Sequence, residues 1–493
     1  MISRQTLTAI AISCYLAGCA IGPDFELRDT SNTEVSEQFH QQDKSQAVDN
    51  APSLAAKEWR DIHKDEILHQ LIDEALANNH DLETARSNLR AASYHADATS
   101  ASLWPWFDLA LETSRERESD GSYGTGNELK GALSWEVDLW GVNRRKSEAS
   151  DASFKQAGYD LYSLQVSIVS QVANTYFDLL DLDNQREITE ATIATRKEAL
   201  RILNLRKESG VISGIEVRQA ELALAEAKHK LPRLKQSQHT TENQLGLLLG
   251  RAPGDVERAS DLSQDAIPSE IPVGLPSDLL LRRADLKAAE QIIVAANADV
   301  GISQGALLPS ISLTGEFGKS SSELTDILSG NDFWLFETNL AAPIFHAGAL
   351  RANLKVAKEE YKQALIGYQQ KVNNALKEVS NGISAYHLSK EQEEATQDLL
   401  AAANKYLKLA VLQYRNGVLG YIDVLDAQRQ QFDAELALSS AKRDRLKAIT
   451  FLYRALGGGW QQKENASGNV TVNSSDNEER DTSTTNQSTA AVN

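Results

Sequence analysis

The chain has 493 residues, with 50 basic against 69 acidic side chains, a net charge of −19, 10 prolines, one methionine and two cysteines. That charge repels phosphate backbones and argues against nucleic acid as a partner, while scarce proline and abundant Ala, Leu, Gln and Glu favour long helices. Mean hydropathy is −0.38 and no uninterrupted apolar run reaches the roughly 18 residues of a membrane helix, so any membrane span has to use strands.

The N-terminus reads as an export signal over residues 1–18. Arg4 supplies its positive end, Leu7 to Leu16 a short apolar stretch, and Leu16-Ala17-Gly18-Cys19 the cleavage site. Leu-Ala-Gly-Cys resembles a bacterial lipobox, which implies that Cys19 becomes the mature N-terminus and carries an N-acyl diglyceride. Several acyl chains hold such a terminus on a membrane durably. Ala20 in place of Asp, by analogy with lipoprotein sorting in Gram-negative bacteria, points to the outer membrane. With Cys14 lost and Cys19 acylated, the mature chain carries no free thiol, which excludes disulfides and thiolate chemistry. The nine histidines show no paired metal-ligand spacing, and no nucleophile elbow, phosphate loop or dinucleotide fingerprint occurs. The chain therefore reads as a non-enzyme without a cofactor.

Next comes a polar segment, with residues 19–60 read as a lipid-anchored extended stretch, and then an internal duplication. Asp81-Leu82 matches Asp285-Leu286, Ala91-Ala92 matches Ala295-Ala296, and Pro105 matches Pro309, at an offset of 204. Val172, Gly210, Val217 and Ala220 match Val379, Gly417, Val424 and Ala427 at an offset of 207. The repeats span 61–254 and 277–460, joined by a linker at 255–276 and followed by a polar tail, 461–493, that reads as disordered. Each repeat is expected to run helix, two strands (about 105–140 and 309–345), then a long helical hairpin (143–250 and 347–456).

Alternation identifies the strands. Phe107, Leu109 and Leu111 oppose Asp108, Ala110 and Glu112; Leu129, Leu133, Trp135 and Val137 oppose Lys130, Ser134, Glu136 and Asp138; Ile311, Leu313, Phe317, Trp334, Phe336 and Leu340 continue the apolar side in the second repeat. Segments of about ten residues, apolar on one face, fit outer-membrane strands, with a soluble amphipathic sheet as the other reading. Four strands cannot close a barrel, and an open edge cannot sit in lipid. Closure then takes several chains: two give eight strands and a filled interior, three give twelve and a lumen, which the polar inner face favours.

The helices carry apolar residues at steps of three and four, such as Leu161, Leu164, Ile168, Val172, Tyr176 and Leu179, which is coiled-coil spacing. A plain coiled-coil rod stays open on this evidence. Glycines mark the tight turns: Gly210 and Gly214 in the first repeat, Gly417 and Gly420 in the second.

Taken together, Cys19 to Phe25 (Cys-Ala-Ile-Gly-Pro-Asp-Phe), Trp135 to Gly141 (Trp-Glu-Val-Asp-Leu-Trp-Gly), Pro343 to Gly348 (Pro-Ile-Phe-His-Ala-Gly), Tyr414 to Gly417 (Tyr-Arg-Asn-Gly), Val424 to Gln428 (Val-Leu-Asp-Ala-Gln) and Leu456 to Trp460 (Leu-Gly-Gly-Gly-Trp) resemble the outer-membrane factor family of TolC and OprM. The lipobox places the likeness in the family's lipoprotein, NodT-like branch. The resemblance implies a mainly α fold with a membrane β-barrel: a homotrimer whose twelve strands, four per chain, form an exit duct continued by a periplasmic α-helical barrel. It implies docking to a periplasmic adaptor and an inner-membrane pump of the resistance-nodulation-division type. It further implies an aperture at the hairpin tips, with Asp423 and Asp426 ringing the pore and Tyr414 helping to hold it shut. Glu216, the first-repeat counterpart of Asp423, is expected to accept a bond between hairpins. An arginine latch found in some members is Leu419 here. The expected function is a passive efflux duct in the outer membrane. A structural lipoprotein tether and a type I protein-secretion duct are the alternatives, and the exported substrate stays open.

Overall fold

The computed structural model describes residues 21–22, 54, 59–117, 119, 121, 123–259 and 282–458. The signal, Cys19, the polar segment at 26–53, most of the linker and the tail 461–493 lie outside the described residues.

A single helical turn, Trp59–Ile62, leads to α1 (Glu66–Asn78) and α2 (His80–Ser100). Asp65 caps α1, accepting from the backbone N–H of Ile67 and Leu68 at 2.9 and 3.1 Å. Asn79 ends α1 and caps α2, accepting from Asp81 and Leu82 while its amide donates to the Leu248 carbonyl at 2.8 Å. These caps satisfy orphan donors at both helix starts. Strands β1 (Trp106–Arg117) and β2 (Tyr123–Val137) follow, then a hairpin of α3 (Val142–Glu208) and α4 (Gly214–Leu248). The second repeat supplies α5 (Ala284–Gly305), β3 (Ser310–Ser321), β4 (Asn331–Ala341), and a hairpin of α6 (Ala349–Arg415) and α7 (Tyr421–Ala455).

Helices α3 and α6 each have 67 residues and α4 and α7 each have 35, all in step at the offset of 207. Neither long helix contains a proline, so nothing breaks a run that extends about 100 Å at ~1.5 Å per residue. Gly141 and Gly348, at φ +75° and +85°, stand immediately before them. Asp138, expected on the polar face of β2, instead turns away from the strand to cap α3. Its two oxygens accept from the N–H groups of Asn143 and Arg144, both at 2.9 Å. That carboxylate belongs to the strand–helix joint, because β2 ends at Val137.

The four strands form one antiparallel sheet in the order β1-β2-β3-β4. Phe107 lies opposite Leu133, Leu133 opposite Gly315, and Gly315 opposite Phe336, so the apolar side chains of both repeats share one face. The register of β1 on β2 recurs in β3 on β4 under the repeat offsets: Phe107↔Leu133 becomes Ile311↔Leu340.

The main apolar core sits where α1, α2, α3 and α4 converge, around Leu68, Ile72, Leu82, Val172, Tyr176, Leu179, Leu245 and Leu249. Each fully buried Leu or Ile contributes about 1.5–3 kcal/mol. Tyr176 also donates from its hydroxyl to Asp65 at 2.7 Å and accepts from the Ala259 N–H at 3.2 Å, tying the chain before α1 to the chain after α4. Gly250, at φ +71°, ends α4 against the Asn78 carbonyl, where a Cβ would collide.

Polar contacts join the two repeats nearby. Asp181 of α3 is buried and accepts from Ser439 Oγ and Arg443 Nη1 of α7, both at 2.5 Å, and from Gln185 at 2.9 Å. Lys447 reaches Asp178 at 2.7 Å. Within each hairpin a buried polar pair occupies one repeat position with changed chemistry. Arg186 of α3 donates to Gln238 of α4 at 3.1 Å, and Arg445 of α7 donates to Glu393 of α6 at 2.8 Å.

Candidate functional site

Two ends of the molecule carry features that a plain rod does not require. The first is the sheet. On its apolar face Leu109 and Trp334 are 74% and 80% exposed, on the two outermost strands. Phe107 and Phe317 lie 6.3 Å apart and nearly parallel, leaning over Gly131, where a Cβ would crowd both rings. The opposite face is acidic, and Lys130 at its centre bridges Glu112 of β1 and Glu316 of β3 at 3.3 and 3.4 Å. Indole N–H groups tie the base of the sheet: Trp135 of β2 donates to the Leu103 carbonyl just past α2, and Trp140 beyond β2 donates to the Pro309 carbonyl just before β3. A sheet with a bare apolar face, a polar face and two unpaired edges is suited to lipid on one side and water on the other.

The second is the hairpin tips. Gly210 and Gly417, both at φ +72°, follow α3 and α6. Each tip is closed by two bonds: Gly210 N–H to the Lys207 carbonyl and Val211 N–H to Arg206, then Gly417 N–H to Tyr414 and Val418 N–H to Gln413, all at 2.9 to 3.0 Å. This is the Schellman arrangement, which needs a left-handed residue at the first position beyond the cap. Gly214 and Gly420 differ. Gly214 is the first residue of α4, and Gly420 sits in extended backbone at φ −76° as the cap of α7.

The structure brings Tyr414 and Glu216 together. The Tyr414 hydroxyl donates to Glu216 Oε2 at 3.1 Å, joining α6 to α4 and so one hairpin to the other. Burial, followed by the Glu216 carboxylate, pushes the Tyr414 phenol above its ordinary range, so it remains a neutral donor. Asp423 does not reach this pair. Its carboxylate turns back to accept from the Gly420 N–H at 3.1 Å, a capping contact that also places negative charge at a helix start. Asp426 accepts from Arg429 at 2.6 Å on the same helix face.

Two contributors escape sequence reading: Arg206 stands 6.0 Å from the centre of the Tyr414 ring, and Tyr421 packs its ring 5.5 Å from it. Leu419, singled out in the sequence, lies against the tip cluster of Leu203, Val217, Ala220, Ala410, Val424 and Ala427. Burial pushes the Tyr421 phenol up to about 12. The position that carries a latch arginine in some members is therefore spent on apolar packing. A usable signal was the mismatch between repeats, where Lys207 and Gly214 stand at the counterparts of Tyr414 and Tyr421.

Among the described residues no helix is long and apolar enough to cross a membrane, and no three acidic or histidine side chains converge as a metal site. The outer membrane efflux protein family matches residues 71–251 and 275–458. A probable efflux pump outer membrane protein, TtgC of Pseudomonas putida, is 33% identical over 471 residues, covering 93% of this chain and 96% of the relative. The cation efflux system protein CusC of Escherichia coli is 30% identical over 462 residues, covering 92% and 99%. Among solved structures, the CmeC outer membrane channel of Campylobacter jejuni superposes with a TM-score of 0.83 at 26% identity, over 91% of this chain and 97% of that one. A lipid-facing sheet, two long hairpins and these likenesses converge: the chain belongs to the outer membrane efflux protein family and serves in the outer membrane as an efflux channel.

Proposed function

We propose that three copies of the chain close a twelve-stranded barrel, anchored through a lipidated Cys19, and that this duct passively conducts cargo delivered by a periplasmic adaptor and a resistance-nodulation-division pump. The observation that carries this reading is the four-stranded sheet with an exposed apolar face and two unpaired edges. An unpaired backbone group in hydrocarbon costs several kcal/mol, so the sheet has to close on copies of itself. Three copies leave the lumen that an acidic inner face around Glu112, Glu128, Glu316 and Glu337 requires.

Closure at the far end rests on the tips. The Tyr414–Glu216 bond holds two hairpins of one chain together. Three copies of Asp423 and Asp426 at the mouth favour cations, although the Gly420 cap and Arg429 absorb part of their charge. Val211, Ile215, Val418 and Ile422 are exposed at the tips in repeat-related pairs, an apolar surface suited to the adaptor. Cargo choice belongs to the pump. The energy also comes from the pump, and this subunit conducts passively. Native mass measurement of the detergent-purified protein is expected to give three copies per particle; a monomer or dimer that retains the fold contradicts the duct.

A further inference from the structure

The two repeats differ in charge at the rim of the sheet farthest from the helices. Strand β1 runs outward from the helices and turns back into β2 beyond Arg117. Its odd-numbered residues share the apolar face, so that Phe107, Leu109 and Leu111 are followed there by Thr113, Arg115 and Arg117. From Val137 at the base to Thr125, which lies opposite Arg115, β2 advances twelve residues. That is ~40 Å along the strand and ~30 Å in height at the usual tilt, the thickness of a bilayer's hydrocarbon. An arginine on the lipid face is costly at the midplane and tolerated at such a boundary. Arg115 and Arg117 therefore stand on the outside of the wall at the level of the outer-leaflet headgroups.

Under the offsets of 204 for β1 onto β3 and 207 for β2 onto β4, the opposed pair Arg115↔Thr125 corresponds to Lys319↔Asp332. Lys319 and Asp332 form an ion pair at 2.8 Å, which leaves that position of the second repeat without net charge. The first repeat has a threonine in place of the aspartate. It also has Arg117 where the second has Ser321, and Tyr123 where the second has Gly330. Tyr123 is 60% exposed and carries both guanidinium groups over its ring, Arg115 at 4.9 Å and Arg117 at 5.9 Å from the centre. Stacking on a ring orients a guanidinium and leaves its N–H edge open to an anion. Glu112, Glu116 and Glu128 alternate onto the opposite face, and among the described residues neither arginine has an ion-pair partner.

We propose that Arg115, Arg117 and Tyr123 bind the phosphorylated sugar headgroup of an outer-leaflet glycolipid, whose acyl chains lie along Leu109 and Leu111 below. The site rests on the barrel reading above, which turns this face toward lipid. A phosphate monoester supplies the charge and the several acceptor oxygens that two guanidinium groups and the hydroxyls of Thr113 and Thr125 meet from one face. A phosphodiester, as in a phospholipid, offers less of both. Only the first repeat carries the unpaired cations, so each subunit holds one site.

The test is native mass spectrometry of the full-length protein in detergent, titrated with bisphosphorylated lipid A, with the same glycolipid stripped of phosphate, and with phosphatidylglycerol. Each trimer is expected to bind one lipid A per subunit, and the other two lipids roughly tenfold more weakly. Arg115→Gln with Arg117→Gln should weaken lipid A binding by roughly tenfold. Thr125→Asp should weaken it comparably while keeping both arginines, because it restores the second repeat's ion pair, and Lys319→Gln should leave it unchanged. Trimers that bind lipid A equally with and without the two arginines overturn the site and leave the duct standing, as would follow if Glu118 and Asp120 of the turn, outside the described residues, already engaged the guanidinium groups. Trimers that bind the phosphate-free glycolipid or phosphatidylglycerol as tightly as lipid A overturn it too. Particles that are not trimers overturn the duct reading and the site with it.

Discussion

Glu393→Leu is expected to destabilise the folded chain by about 3–5 kcal/mol, the usual cost of stranding one member of a buried ion pair. Glu393 is almost wholly buried and accepts from Arg445 at 2.8 Å and from Gln397 at 3.1 Å. Removing the carboxylate leaves the Arg445 guanidinium, itself 16% exposed, without its countercharge. The first repeat offers the rescue. At the same positions it holds Arg186 on the long helix and Gln238 on the returning one, so Glu393→Arg with Arg445→Gln transplants a pair the architecture already accommodates. The double variant should recover most of the loss, whereas Glu393→Arg alone should be worse than Glu393→Leu because it sets two guanidinium groups together. Thermal unfolding followed by circular dichroism in one detergent separates these outcomes. Equal losses in the single and double variants would show that the second repeat does not tolerate the first repeat's chemistry.

Tyr414→Phe is expected to loosen the tips while leaving the fold intact. A hydrogen bond to a charged group contributes roughly 1.5–3 kcal/mol, and about 1 kcal/mol after discounting for solvent at a half-exposed tip. Three subunits together shift the closed-to-open balance by about 3 kcal/mol, on the order of a hundredfold. Cells carrying this variant should become sensitive to hydrophilic compounds that the outer membrane otherwise excludes. Glu216→Ala should produce a similar leak, and combining it with Tyr414→Phe should add little, because both remove one bond. Additive leaks would mean that the two side chains hold the tips through separate contacts.

Much of the architecture was legible because it follows from short periods. Alternation at Phe107, Leu109 and Leu111 marks a strand without reference to anything distant, and an unbroken run from Val142 to Glu208 marks a helix. The duplication exposed the second repeat in the same way. Contacts between side chains far apart in the chain were not legible. Asp181 and Arg443 are separated by 262 residues, and nothing local in either sequence says that one covers the other. The swap of Arg186–Gln238 for Glu393–Arg445 stayed hidden for a related reason: both positions look like polar coiled-coil residues until the helices are packed. At the tips, it was the family resemblance that implied Asp423 and Asp426 as pore charges. The structure gives each a nearby partner, and the capping geometry at Gly420 is what a third-position Asp before an apolar stripe already implies. Asp138 illustrates the limit of alternation, which extends a strand one residue past the point where a cap takes over.

The central claim is that this chain builds a water-filled duct closed at its hairpin tips. Single-channel conductance of the purified trimer in a planar bilayer tests it most directly, comparing wild type with Asp423→Ala plus Asp426→Ala. The account predicts a small, cation-selective conductance in wild type, and a larger or less selective one once the tip carboxylates and the Gly420 cap are removed. Folded trimers of both proteins that insert into the bilayer and pass no current would contradict it.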